Sequence, residues 1–149
     1  MNQILIAVDE SEGGRAAVES GLELARETGA RATFVTVRHA PSKVLGAPFD
    51  SKAVGTSLKE ARAVVEFALE RAAEWNVEAD AEILEGDPAA EIVSLADNRG
   101  VDLIVIGSRG LGALAGAILG SVSRSVVQHA GAPVVVAKTP ARRPAAVAE

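Results

Sequence analysis

The chain has 149 residues, 48% of them hydrophobic and 23% charged, with a net charge of -5 and an isoelectric point near 5.1. That is the length and apolar content of one ordinary globular domain, and the acidic balance argues against a general nucleic-acid binder, which needs a basic face. The absence of cysteine excludes disulfides and thiolate metal sites. No apolar stretch is long enough to span a bilayer, and Met1-Asn-Gln lacks the basic start of a signal peptide. The expectation is a soluble cytoplasmic protein that engages neither nucleic acid nor membrane.

Ile4 to Val8 is a short continuous apolar run, the mark of a strand buried on both faces. Asp9-Glu-Ser11-Glu follows, with Ser11 or Asp9 as N-cap of a helix whose Ala17, Val18, Gly21, Leu22 and Ala25 recur at helical spacing and which Gly29 ends. Ala32 to Val37 is rich in β-favouring residues and reads as a second strand. Residues 39 to 57 show no clear periodicity and are broken by Pro41, Gly46, Pro48 and Gly55. Leu58, Ala61, Val65, Ala68, Ala72 and Trp75 predict a long helix. Val77 to Leu84 alternates polar and apolar residues, which predicts an edge strand with one wetter face. Asp87-Pro88 supplies a cap and a first-turn proline for a helix closed by Gly100. Val101 to Ile106 reads as a buried strand, Val122 to Ala130 as a helix and Val134 to Ala137 as a last strand. Residues 139 to 149 read as a flexible tail, which leaves 1–138 as the single folded domain.

Strict alternation of strand and helix implies parallel strands joined by right-handed crossovers. The expected fold class is α/β, one three-layer domain with a five-stranded parallel sheet of order 3-2-1-4-5 and helices on both faces. In that order the first and fourth strands are neighbours, and their carboxyl ends flank the switch point where open α/β sheets bind ligands. Asp9 follows the first strand and Gly107 the fourth, so two residues far apart in sequence point to one place.

Between the fourth strand and the last helix stand Gly107-Ser108-Arg109-Gly110, the nine residues Leu111 to Leu119, and Gly120-Ser121-Val122-Ser123. Glycine at a strand end lets backbone pass close to a ligand. Gly-Ser-x-Ser at a helix start offers free N–H groups and the positive end of the helix dipole. Together they describe an anion cradle suited to phosphate.

On these residues the chain resembles the universal stress protein family, and specifically its ATP-binding branch, marked by G-x2-G-x9-G-[S/T]. Gly107, Gly110, Gly120 and Ser121 match that pattern without a gap. Ile4 to Asp9, Glu85-Gly-Asp-Pro88 and His129 to Val136 resemble further stretches of the family. The resemblance implies a Rossmann-like fold of the adenine nucleotide alpha hydrolase-like kind. It also implies a nucleotide-dependent regulatory module that holds ATP, or AMP or ADP, with Mg²⁺ carried mainly by the phosphates and no metal site of the protein's own. By that resemblance Gly107, Gly110, Gly120 and Ser121 surround the triphosphate, with Ser108, Arg109, Val122 and Ser123 beside them. Asp9 sits near the ribose and phosphates, and Val37 meets adenine through its backbone. The resemblance further implies a homodimer through Val134 to Ala137. Two departures stand out: Thr36 occupies a position where the family often has histidine, and the spacer 111–119 carries no charge, leaving Arg109 and Arg124 as the nearby cations.

Other motifs are weaker. Gly110-Leu-Gly-Ala-Leu-Ala115 fits a dinucleotide fingerprint but lacks an acid at the end of the next strand, and no P-loop lysine motif is present. Ser121 and Ser123 could serve as helix caps instead of phosphate ligands. His39 and His129 read as structural, His129 lying where a cation suits the helix dipole. No residue is assigned a catalytic role; the alternative is a slow ATP hydrolase, or another nucleotide-processing enzyme on the same fold.

Overall fold

The computed structural model describes residues 1–38, 51–108 and 119–138. Along the chain run β1 (Gln3–Ala7), α1 (Glu12–Thr28), β2 (Arg31–Arg38), α2 (Ser51–Glu74), β3 (Ala79–Glu85), α3 (Pro88–Arg99), β4 (Leu103–Gly107), α4 (Ser121–His129) and β5 (Val134–Ala137). The five strands form one parallel sheet of order β3-β2-β1-β4-β5, as the alternation predicts.

Strand periodicity divides the core. Ile4, Ile6 and Val8 point to one face with Phe34, Leu103 and Val105, and are covered by Ala17, Val18, Leu22 and Ala25 of α1 and Ala68 and Ala72 of α2. Leu5 and Ala7 point to the other face with Val35, Ile104 and Ile106, covered by Ile92 and Ala96 of α3 and Val126 of α4. From Ile4 onward in β1, and throughout β4, the central strands are therefore apolar, because each face carries a helical layer. At the β3 edge the second face turns polar. Thr33 donates to Asp80 at 2.6 Å, and the Arg99 guanidinium at the end of α3 reaches Asp80 at 3.0 Å and Glu82 at 2.9 Å. These charges account for the alternation of the third strand.

Two strand starts differ from expectation for one reason. Val77 and Val101 belong to helix ends, not to strands. After α2, Asn76 adopts a left-handed φ of 56°, its N–H donates to Ala73 O, and Val77 N–H donates to Ala72 O at 2.9 Å. After α3, Gly100 (φ 62°) and Val101 repeat the arrangement, with Val101 N–H donating to Ala96 O at 3.2 Å. Each valine is the apolar residue that closes such a helix end, buried against the core ahead of its strand. α2 also begins seven residues earlier than its apolar stripe predicts, at Ser51. Once the striped segment is helical, adding upstream turns costs little, although Gly55-Thr-Ser57 favour helix only weakly. The expected 139–149 tail, and residues 39–50 of the aperiodic stretch, lie outside the described residues.

Candidate functional site

The carboxyl ends of the central strands bring the predicted residues to one level. β1 pairs with β2 with Ala7 beside Val35, so continuing that register two residues sets Asp9 level with Val37. β1 pairs with β4 with Ile6 beside Val105, and three residues on Asp9 is level with Ser108. The second turn arrives from the far side of the spacer. Gly120 N–H donates to Ser108 O at 2.8 Å, and Ser108 N–H donates to Ala137 O at 2.9 Å. The two glycine-bearing turns are thus joined by a direct main-chain hydrogen bond at the switch point.

Ser123 strengthens that joint. Its side chain is buried, and its hydroxyl lies 3.0 Å from Ser108 O and 3.1 Å from Gly120 O. A hydroxyl has one proton, and here two carbonyls share it. Ser123 therefore latches the start of α4 to the end of β4, and offers an incoming phosphate no hydroxyl proton in this arrangement. The capping reading is also corrected for both serines. The N-cap of α4 is Gly120, which makes no side-chain cap bond, and Ser121 is the first helical residue, exposed. The first bond of the helix runs from Arg124 N–H to Gly120 O. The amides of Ser121, Val122 and Ser123 thus open the helix with no side chain capping them, and no acidic residue stands in that turn. An uncapped, acid-free helix start carries a partial positive charge and donors aimed outward.

Gly107 has a different reason from the one its position suggests. A Cβ there would lie 2.4 Å from Gly13 O and 2.5 Å from Gly13 C. The glycine is required by the first turn of α1, whose backbone rests on the end of β4. Gly14 is constrained in the same way, since a Cβ on it would lie 2.5 Å from Asp9 Oδ1 and 2.6 Å from Asp9 O. Gly13 and Gly14 were not singled out by sequence reasoning. Their signal is two poor helix formers side by side in a first turn, which only close packing explains.

Asp9 is a half-buried residue and it is not the N-cap. Ser11 is, its Oγ accepting from Gly14 N–H at 3.1 Å. Ser11 in turn donates to Asp9 Oδ1 twice, from its N–H at 2.8 Å and from its hydroxyl. No described residue bonds Asp9 Oδ2. One carboxylate oxygen is fixed and the other has no bond to a described residue.

Arg109 and Gly110 lie outside the described residues, as do 111–118 of the spacer and His39. Arg124 is exposed on α4, and His129, at the helix end away from the crevice, is held by a 2.8 Å contact from Nδ1 to Ser125 O. Among the described residues no three His, Asp or Glu side chains are placed to hold a metal ion together. No described helix is long and apolar enough to cross a membrane.

Comparison with known proteins gives the family and agrees with the fold. The model of the universal stress protein family matches residues 1–138. The universal stress protein YxiE of Bacillus subtilis is 33% identical over 146 residues, covering 92% of this chain and 99% of its own. A universal stress protein family protein of Arabidopsis thaliana, solved with AMP bound, superposes with a TM-score of 0.72 at 25% identity, covering 98% of this chain and 97% of that one. A universal stress protein solved in complex with cAMP has a TM-score of 0.73 at 25% identity, covering 93% of this chain and 98% of that one.

Proposed function

We propose that this chain, which belongs to the universal stress protein family, binds an adenine nucleotide across the carboxyl ends of β1 and β4 and acts as a nucleotide-dependent regulatory module. The nucleotide is ATP with Mg²⁺, the metal held by phosphate oxygens and water, which suits an ion that dehydrates reluctantly. Main-chain amides of Gly107, Arg109 and Gly110 and of Ser121, Val122 and Ser123 hold the phosphates, while the Ser108 and Gly120 amides, donated to Ala137 O and Ser108 O, fix the two turns beside them. Asp9 faces the ribose and phosphates, and the Val37 backbone meets the base.

The single observation that carries this reading is the start of α4. It has no side-chain cap and no acid, and it is latched to Ser108 level with Asp9. A helix start in that condition attracts an anion by roughly 0.3–1 kcal/mol per charge when exposed and up to about 2 when partly buried. That relatives carry AMP and cAMP supports the choice of an adenine nucleotide. Adenine burial added to several such contacts gives an affinity in the micromolar range, about 8 kcal/mol.

The test is direct. Mass spectrometry of the purified protein reads any nucleotide it carries, and calorimetry with ATP, AMP and adenosine ranks them. ATP binding at micromolar concentration, tighter than adenosine, supports the reading. No heat with any of the three ends it. Following ADP release over hours distinguishes a binding module from a hydrolase.

The same reading makes the protein a cytoplasmic homodimer through β5. Val134, Val135 and Val136 are half-buried on a strand that, among the described residues, has β4 on one side and no neighbour on the other. An apolar edge strand is a template for pairing with another chain. Light scattering should give twice the chain mass, and Val135→Lys should reduce it to the monomer; a monomer in the unmodified protein ends the dimer proposal.

A further inference from the structure

Asp9 is aimed, and the residue that aims it is not in the glycine motif. Three features act on one carboxylate. Ser11 N–H donates to Oδ1 at 2.8 Å, Ser11 Oγ–H donates to the same oxygen, and Gly14 leaves free the space beside Oδ1 that a Cβ would enter at 2.5 Å. Ser11 is itself held, because its Oγ accepts from Gly14 N–H at 3.1 Å. The hydroxyl thus joins the α1 backbone to the carboxylate, taking a hydrogen bond from one and giving one to the other. A carboxylate with one oxygen tied down by two donors has lost rotation about its side chain and presents its second oxygen in one direction.

We infer that Ser11 is a positioning residue for the nucleotide site, setting Asp9 so that Oδ2 faces the crevice before any ligand arrives. This rests on the nucleotide-binding reading and deepens it. Ser11 need not touch the ligand; its effect passes through Asp9. The bland alternative is that Ser11 only caps α1, because the same hydroxyl serves both ends. The two roles separate by substitution, since glycine is itself a favoured N-cap residue and keeps the helix start while removing the hydroxyl.

The experiment is a double-mutant cycle on ATP affinity by calorimetry, with Ser11→Gly and Asp9→Ala singly and together, thermal melting of each, and Ser11→Thr as the conservative variant. Asp9→Asn replaces Asp9→Ala if the alanine variant fails to fold. Ser11→Gly is expected to weaken ATP about tenfold in the normal background, to change it little where Asp9 is already gone, and to leave the melting temperature nearly unmoved. Ser11→Thr, which keeps the hydroxyl, restores affinity. Equal loss in both backgrounds, unchanged affinity in Ser11→Gly, or no restoration by Ser11→Thr overturns the inference. So does unchanged affinity in Asp9→Ala, which leaves nucleotide binding standing. An unmodified protein that binds no nucleotide overturns both readings together.

Discussion

Two helices start at the carboxyl end of the sheet, after β1 and after β4, and they start in opposite ways. α1 is sealed: Ser11 caps it, Glu12 supplies an acid in its first turn, and Gly13 rests on Gly107 with no room for a Cβ between them. α4 is open: its cap is a glycine without a side chain, its first turn has no acid, and its only polar side chain turned inward is spent on the main chain of Ser108 and Gly120. A helix N-terminus buried or paid for by its own residues has little left for a ligand, and one left uncapped beside a strand end does. The molecule thus uses one helix start to build the wall of the crevice and the other to furnish its donors.

That contrast can be broken from either side. The largest effect is expected at the open end. Gly120→Val places a branched side chain where the α4 amides face outward, and ATP affinity should fall at least a hundredfold by calorimetry while the circular dichroism spectrum is retained. Retained affinity would mean the amides are not the donors. At the sealed end, Gly107→Ala should act on stability, because the new methyl meets Gly13 O at 2.4 Å. Overpacking of this kind costs about 1–3 kcal/mol. A melting temperature equal to that of the parent would show that α1 does not rest on β4 as described.

Smaller changes sharpen the comparison. Ser121→Asp gives α4 the acid that α1 already has. ATP should weaken roughly threefold to tenfold, adenosine hardly at all, because only the phosphates meet the new charge. Equal loss for both ligands would point to damage to the helix instead. The smallest effect is a pH dependence set at the amino ends of the strands. Backbone N–H groups of Asn2 (2.7 Å) and Gln3 (3.0 Å) hold the Asp102 carboxyl below the usual carboxylate range. Burial alone would raise Asp80, but hydrogen bonds from Thr33 and Arg99, with the charges of Arg99 and Arg31, outweigh it and lower it. Both groups bind a proton more weakly folded than unfolded. Their stabilisation is therefore complete at neutral pH and is lost as pH falls below about 4, where the unfolded chain takes up protons first. Melting curves from pH 7 to pH 3 should show this decline, and Asp102→Asn should make it shallower.

How far the sequence could be read depends on the range of the interaction. The sheet order followed from the two apolar runs at Ile4 and Leu103 and from strict alternation, both visible in local pattern. Val77 and Val101 read as strand residues because an apolar residue that closes a helix looks like one that opens a strand; the left-handed turns at Asn76 and Gly100 settle which it is. Gly107 reads in the sequence as a glycine that lets backbone pass close to a ligand, whereas the neighbour that forbids a side chain there is Gly13, more than ninety residues away in the chain. The family resemblance puts Ser123 beside the phosphates, but that its hydroxyl holds two carbonyls is visible only in the fold.

By itself the sequence determined the family, the order of the sheet and the edge at which Asp9, Gly107 and Gly120 gather, since these follow from periodicity and from glycine spacing along the chain. Only the tertiary structure decided that Gly107 rests on Gly13, that Gly120 N–H is given to Ser108 O, and that the Ser123 hydroxyl is held by the same carbonyl. Those outcomes depend on atoms two to three ångströms apart that meet only after β1, β4 and their helices have packed, and no local pattern records such a meeting.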